Sequence, residues 1–574
     1  VTDRARLIAV ARGDAPPDLV VSGGRVFGAF TKEWLECDVA VAEGRVAGLG
    51  GFDGGHRIDA AGQYVVPGFI DAHVHIESSK LMVDEFARAV LPCGTTAVVT
   101  DPHEIANVLG TDGIHWLLDV CEGLPLEVFV MAPSCVPASP FESPRRPLTP
   151  GDMESILRRT HALGVAEMMN FPAVISGLRS ELDKLEVRGA THVDGHAPGV
   201  RGASLNAYLA AGIRSDHEAT TFEEALEKRR KGMWVLLRDA SNARNLVDLL
   251  PLVKQYGPEN CAFCTDDREP DWLEREGHIN HMCRVAVAHG LTPVDAILLA
   301  SLQPARYHGL TDRGAIAPGY TADFALLPDL VEFRPTMVFA GGRLVVDDGR
   351  VLPFERRTVP LWVRRSVRIA PLAASDLHIP ARGDRVRIIE VIPGQLLTNA
   401  VVEAPRVEDG RAVADPGRDI AKIAVVERHH ATGRIGKGFV RGFGLRRGAF
   451  ASTVAHDAHN IIVVGVADQD MALCVARLES IGGGIVLAEG GSIAGELPLP
   501  VAGLLSDQPF EHVTSKMGEL HSTLAGMGVT IGSPLMTLSF LALSVIPALK
   551  ITDHGLIDVN RFEVVPLEAD HAIA

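Results

Sequence analysis

Residues 64–77 read Tyr64-Val65-Val66-Pro67-Gly68-Phe69-Ile70-Asp71-Ala72-His73-Val74-His75-Ile76-Glu77. An apolar run rich in Val and Ile ends in two histidines spaced by one residue. Residues i and i+2 of a strand point to the same side, so His73 and His75 can offer two imidazoles to one cation. The plainer reading is two polar residues on a wet strand face. Parallel α/β folds place their chemistry where buried strands end, and the pair sits at such an end.

Working outward, residues 67–308 alternate strand-like and helical stretches. Eight candidate strands lie near 65–76, 95–103, 126–136, 165–171, 189–196, 212–218, 233–239 and 261–267. Between them, Thr221-Phe222-Glu223-Glu224 predicts a capping box, in which each side chain reaches a backbone N–H left free at a helix start. Thr292-Pro293-Val294-Asp295 puts Pro at the first helical position and Asp in the first turn, both favoured there. Eight β/α units in about 240 residues is the size of a (β/α)8 barrel. A doubly wound open sheet is the alternative.

Polar residues recur at the predicted strand ends. Strand one ends in His73 and His75, and strand two in Asp101-Pro102-His103-Glu104. Strand four carries Glu167. Strand five ends with His192-Val193-Asp194-Gly195-His196, strand six with Asp216-His217-Glu218, and strand eight with Thr265-Asp266-Asp267. Each has a bland reading alone: Glu167 as an ion-pair partner, His217 as a helix-cap neighbour, Asp266 as a turn residue. Six of them in order at the ends of a barrel's strands instead describe one metal centre. His73, His75, Glu167, His196, His217 and Asp266 suffice for two ions if Glu167 bridges them with its two oxygens. Imidazole and carboxylate without thiolate suits Mn, Fe, Zn or Co.

The flanks differ. Residues 1–66 are β-rich, with short strand–turn–strand patterns around Gly23-Gly24 and Gly44. The same pattern returns near 322–344, so 1–66 and 309–374 are expected to form one small composite β-sandwich domain, with the barrel of residues 67–308 inserted. From 375 to 574 strand-like runs, a helix-like stretch at Met471–Ile481 and Gly-rich turns predict a separate α/β or α+β domain. None of its Gly clusters forms a GxGxxG between strand and helix, which argues against nucleotide binding there.

The 574 residues carry a formal net charge of −17 and no basic tract, which argues against nucleic acid and anionic membrane as partners. Eight cysteines are too sparse for a disulfide framework, and Cys261-x-x-Cys264, in an apolar run without a second pair, reads as core packing. No stretch is apolar over about 18 residues, and the first residues show no signal pattern. The expectation is a cytoplasmic protein.

Longer motifs carry a resemblance. Pro67-Gly68-Phe69-Ile70-Asp71-Ala72-His73-Val74-His75 and Gly314-Ala315-Ile316-Ala317-Pro318-Gly319-Tyr320-Thr321-Ala322-Asp323-Phe324 resemble the amidohydrolase superfamily of metal-dependent barrels. Within it, four stretches resemble the bacterial-type adenine deaminase family: His73-Val74-His75-Ile76-Glu77-Ser78-Ser79, Asp101-Pro102-His103-Glu104-Ile105-Ala106-Asn107-Val108, Val193-Asp194-Gly195-His196-Ala197-Pro198-Gly199 and His456-Asp457-Ala458-His459-Asn460. The likeness covers nearly the whole chain. The superfamily's commonest strand-four residue is a carboxylated Lys; Glu167 stands there instead, as it does in the adenine deaminase family. The His-x-Glu…Pro-Cys-x-x-Cys signature of the zinc nucleobase deaminases is absent.

The resemblance implies hydrolytic deamination of adenine to hypoxanthine and ammonia, in purine salvage, with Mn2+ or Fe2+ as a binuclear centre of two ions per chain (Zn2+ as the alternative), in a homodimer. Its partner is a small-molecule purine base. For that chemistry the proton shuttle is expected at Asp266, with Glu167 bridging and helping to deliver a proton. His103, Glu77 and Asp101 are expected beside the ions, either as extra ligands or orienting the ligands. Arg238 and Ser134 are expected to contact the base. His456 and His459 either close over the barrel mouth or hold their own loop together. Hydrolysis of a cyclic amide, of the dihydroorotase or hydantoinase type, is the competing activity, and a non-catalytic barrel scaffold the competing class.

Overall fold

A computed structural model of the chain describes residues 2–569. Eight short parallel strands lie between residues 69 and 264: β1 (Phe69–Val74), β2 (Thr95–Thr100), β3 (Glu127–Ala132), β4 (Ala162–Met168), β5 (Val193–Gly195), β6 (Ser215–Asp216), β7 (Trp234–Arg238) and β8 (Cys261–Cys264). Strands β1 to β5 pair in order, as do β6 to β8. The two arcs join at both seams. Val74 bridges Asp266 in parallel, while Arg214 N donates to the Val193 carbonyl at 3.1 Å and Gly195 N to Ser215 Oγ at 3.1 Å. The result is a closed (β/α)8 barrel, in which every side chain of β1, β2, β7's last four residues and β8 is buried. The open-sheet alternative is set aside by this closure.

Two glycines make the closure sterically feasible. A Cβ on Gly68, where the chain enters β1, would sit 2.2 Å from the Thr96 hydroxyl, and one on Gly195 would sit 2.2 Å from the Ser215 carbonyl oxygen. Both are close approaches that only a residue without Cβ permits.

Several strands stop earlier than the sequence predicts. The β2 strand ends at Thr100 because Pro102 cannot continue a ladder, and His103 opens the helix His103–Leu109. Beyond β5 and β6 the backbone is satisfied by side chains instead of neighbouring strands. Asp216 accepts from the Ala197 and Ala219 amides, and Asn245 Nδ2 donates to the His217 and Ala219 carbonyls. The predicted capping box at Thr221 is only half formed. Its hydroxyl accepts from Glu224 N, but the Glu224 carboxylate turns inward to Lys228 and Gly199 N. At Thr292 the cap is present, with Asp295 N donating to the hydroxyl at 3.0 Å.

Outside the barrel, one sheet mixes strands from both sides of it: Arg350–Val351, Arg343–Asp347, Met337–Ala340, Phe324–Leu327, Tyr64–Pro67, Arg25–Gly28 and Glu33–Glu36, in that order. A second sheet (Arg45–Gly50, Asp38–Ala42, Leu19–Ser22, His56–Asp59) faces it across a core that includes Val21, Val41, Val65, Phe324 and Phe339. Farther along, eight strands between Val386 and Pro498 form one sheet. The alternation of these strands splits their side chains between two cores. Ala424, Val463 and Val486 pack on the helix Asp468–Ile481; Ile423, Val464 and Leu487 join the core shared with the barrel. Cys261 and Cys264 are buried, unpaired thiols of the barrel core. Among the described residues no helix is long and apolar enough to cross a membrane.

Candidate active site

The C-terminal ends of the barrel strands bring His73, His75, Glu167, His196, His217 and Asp266 together, each at most 4% exposed. Glu167 lies at their centre, and its two oxygens face different neighbours. Oε1 is 3.3 Å from His75 Nε2 and 3.8 Å from both His73 Nε2 and His103 Nδ1. Oε2 is 2.8 Å from His196 Nδ1 and 3.3 Å from His217 Nε2. Asp266 Oδ1 lies 3.2 Å from His75 Nε2 and 3.7 Å from His73 Nε2.

The donor set fits divalent cations. His73 Nε2 and His75 Nε2 face one another at 3.2 Å, with Glu167 Oε1 and Asp266 Oδ1 each within 3.8 Å of both, a set of ring nitrogens and carboxylate oxygens that a shared cation would satisfy together. The groups His73–His75–Asp266, His73–Glu167–His217 and His75–Asp101–His103–Glu167 each place their ligand atoms within 4.8 Å of one another. They overlap at His73, His75 and Glu167, as neighbouring ions sharing ligands require. His196 Nε2 is buried without a partner. Electrostatics agree. Burial opposes charge on Glu167 and Asp266, but hydrogen bonds from His196, His217 and His75, with the Arg238 charge beside Asp266, hold both carboxyls well below their usual range. Burial also opposes charge on His75, yet Asp266 and Glu167 raise it well above an ordinary histidine. A cation entering there takes over the charge of that proton, so binding releases it.

Neighbouring groups fix these ligands. His75 Nδ1 donates to the Asp101 carbonyl at 2.9 Å, which directs Nε2 to the cluster. Asp101's carboxylate accepts from His103 Nδ1 at 3.0 Å. Glu77 is placed elsewhere: Oε1 accepts from Ile105 N at a helix start, and burial with the nearby Glu104 charge pushes its carboxyl up to about 8. Glu77 therefore stands at the start of the His103–Leu109 helix, with the His75 and His103 charges near it.

Two expected base contacts are also relocated. Arg238 Nη1 donates to Asp266 Oδ2 at 2.8 Å and both terminal nitrogens engage Glu218. Its two terminal nitrogens are turned to carboxylates, so it orients Asp266 and Glu218, while its Nε is buried without a partner. Ser134 Oγ donates to the Glu167 carbonyl at 2.7 Å and does not line the cavity above the cluster.

The cavity above the cluster is lined by His75, His103, Glu167, His196, His217 and Asp266, together with Met169, Glu218 and Asp267. Its remaining walls come from the chain beyond the barrel: Leu396, His456, Asp457, Phe540, Leu543 and Ile546. Of the late histidines, His456 reaches the cavity. His459 instead accepts from Ala455 N at 3.1 Å and braces its own loop. Sequence reading quoted Glu218, Asp267 and Asp457 within its motifs but gave them no role, although each directly follows a residue it had singled out.

A parallel (β/α)8 barrel with histidines and carboxylates converging where its strands end defines a hydrolase of the amidohydrolase class. The family profile "Amidohydrolase family" matches residues 64–345, and "Adenine deaminase C-terminal domain" matches residues 395–563. The chain is 48% identical over 564 residues to adenine deaminase of Desulfatibacillum aliphaticivorans and 45% identical over 566 residues to adenine deaminase 2 of Carboxydothermus hydrogenoformans, each match covering 98% of this chain and 99% of the relative. Adenine deaminase of Archaeoglobus fulgidus is 45% identical, over 98% of both chains. The chain belongs to the adenine deaminase family of amidohydrolases.

Proposed function

We infer that the site deaminates adenine hydrolytically, giving hypoxanthine and ammonia. The observation that carries this reading is Glu167, whose two oxygens divide between the His73/His75 side and the His196/His217 side as a bridge between two cations requires. His73, His75, Asp266, His196 and His217 complete the ligand set. Cations held there supply an acidified water, its pKa lowered from about 15.7 towards about 7.

The chain's own residues carry the proton and the substrate. Asp266, kept ionised by Arg238 and His75, accepts the proton of the attacking water. It passes that proton to N1 as C6 becomes tetrahedral; the proton left on the C6 oxygen then goes to the exocyclic amine as the C6=O bond forms and the C6–NH2 bond breaks, releasing ammonia. Glu167 would hold both cations through its two oxygens and assist that delivery. His103, held by Asp101, borders the second cation position. The apolar side chains of Met169, Leu396, Phe540, Leu543 and Ile546 suit the faces of a flat aromatic ring and exclude bulk water.

The reading extends to Mn2+ or Fe2+ as the working ions, two per chain, with Zn2+ as the alternative; to a homodimer in the cytoplasm; and to a role in purine salvage. It divides the chain into a composite β domain (1–66 with 309–374), the catalytic barrel (67–308) and a C-terminal domain (375–574). Cyclic-amide hydrolysis and a non-catalytic scaffold are disfavoured by the match over 395–563 and by the complete ligand set.

The test is to incubate metal-stripped protein with adenine and Mn2+, Fe2+ (anaerobically) or Zn2+, following ammonia. Release that needs Mn2+ or Fe2+, with hypoxanthine formed, supports the whole reading. No release with any metal, while the protein binds about two ions per chain, removes adenine as the substrate.

A further inference from the structure

The cavity's C-terminal wall has, beside its apolar residues, a polar part that the reaction above leaves without a task. It carries two polar atoms without a hydrogen bond, His456 Nε2, which lies 3.8 Å from Asp267 Oδ1, and Asp457 Oδ2, on residues 2% and 1% exposed. Their other atoms are engaged. His456 Nδ1 lies 3.3 Å from Glu104 Oε1, and Asp457 Oδ1 lies 3.5 Å from His103 Nε2. The His456 ring stacks on Phe540 with centroids 4.4 Å apart and planes 15° apart. A buried carboxylate oxygen and ring nitrogen left unpaired are costly, and a ligand that meets both removes the cost.

The loop that carries them is held rigidly. Arg428 is fully buried and meets no carboxylate among the described residues; its guanidinium donates to the backbone carbonyls of Thr453 and His459, which bracket the loop, and to that of Ala502. Lys550, buried likewise, donates to the carbonyls of Leu396 at 2.7 Å and Phe540 at 3.2 Å, both residues of the same wall. Two buried basic side chains therefore spend donors on keeping this wall in place.

We propose that Asp457 and His456 form the subsite that reads the imidazole edge of a free purine base, with Asp457 accepting its ring N–H and His456 facing a ring nitrogen. This rests on the adenine reading above. With C6 over the metal cluster in the barrel, the opposite edge of the base meets the C-terminal wall. A free base carries an N–H on that edge; a nucleoside carries a sugar there, which removes the donor and meets a closed wall. The subsite therefore selects bases over nucleosides.

The experiment compares adenine with 9-methyladenine, by ammonia release, on metal-replete wild type and on Asp457→Ala, Asp457→Leu and His456→Gln, with bound metal measured in each. Wild type should favour adenine by about 10⁴-fold in kcat/KM, the size of rejection when a buried polar group loses its partner. In the Asp457 variants that ratio should fall to about 10² or less, the range of a purely steric methyl effect, with the metal content unchanged. His456→Gln should raise KM for adenine more than it lowers kcat. A wild-type ratio near one overturns the subsite whether or not the variants fold, and so does an unchanged ratio in folded Asp457 variants. Failure of wild type to turn over adenine at all overturns the functional reading itself and the subsite with it.

Discussion

Asp266 has φ of +56°, in the left-handed region that an L residue adopts at a cost. Two backbone hydrogen bonds hold it there, from its own N to the His73 carbonyl at 3.0 Å and from His75 N to its carbonyl at 3.3 Å. Strain, seam closure and the His-x-His motif thus meet in one residue. Its carboxylate is aimed by Arg238 from the far side. Replacing Asp266 with Asn should lower kcat for adenine by about 10²–10⁴-fold, as loss of a general base does. Arg238→Gln should lose about 10–100-fold, the usual effect of releasing a group that orients a ligand, and should weaken metal retention. Equal rates for wild type and Arg238→Gln would show that Asp266 needs no such partner.

At the scale of elements, the loops after β5 and β6 are tied by Lys228. Its Nζ, buried on the helix Phe222–Arg230, donates to Asp216 at 2.8 Å, Glu224 at 2.6 Å and the Ala197 carbonyl at 2.7 Å. Removing one partner of a buried ion pair strands the other charges. Lys228→Met should therefore destabilise by about 3–5 kcal/mol, read as a lower Tm, with His196 and His217 displaced together because they follow the two tied strands. Lys550 makes a prediction in pH. Burial lowers its ammonium from 10.5 to about 7. Between those values the unfolded chain binds a proton that the folded chain does not, so this group's contribution to stability rises with pH from about 7 to 10.5. The Tm of wild type should accordingly gain on that of Lys550→Met as pH rises through this window. A parallel pair of curves would show that the lysine is charged in the folded protein.

Across the whole molecule, the reaction site is assembled from distant parts of the chain. The barrel supplies the donors, and the region matched by the adenine deaminase C-terminal profile supplies the roof. Chelation should abolish ammonia release, and Mn2+ or Fe2+ should restore it. Because the folded chain alone presents the converging ligands, the Tm should climb with free metal concentration, by about 2.7 kcal/mol of stability at a hundredfold excess over Kd. A Tm indifferent to metal would mean that the ligands do not bind it tightly.

The eight β/α units and the six candidate ligands were legible along the chain, although an open sheet fitted the same alternation until the two arcs were seen to close. Strand periodicity is local, and in a parallel barrel every strand ends at the same mouth, so ordered polar residues at the strand ends already imply one site. The tertiary structure alone decided what stands around those donors. Arg238 turned from the base to Asp266 and Glu218, Ser134 to a backbone carbonyl, Glu77 to a helix start and Glu224 to Lys228. Each choice depends on which opposite charge or free backbone group lies within a few ångströms, which spacing along the chain does not report. The His456–Asp457 wall is the extreme case. Its residues lie far along the chain from His103 and Glu104, and only the packing of the C-terminal sheet against the barrel brings them to the same cavity.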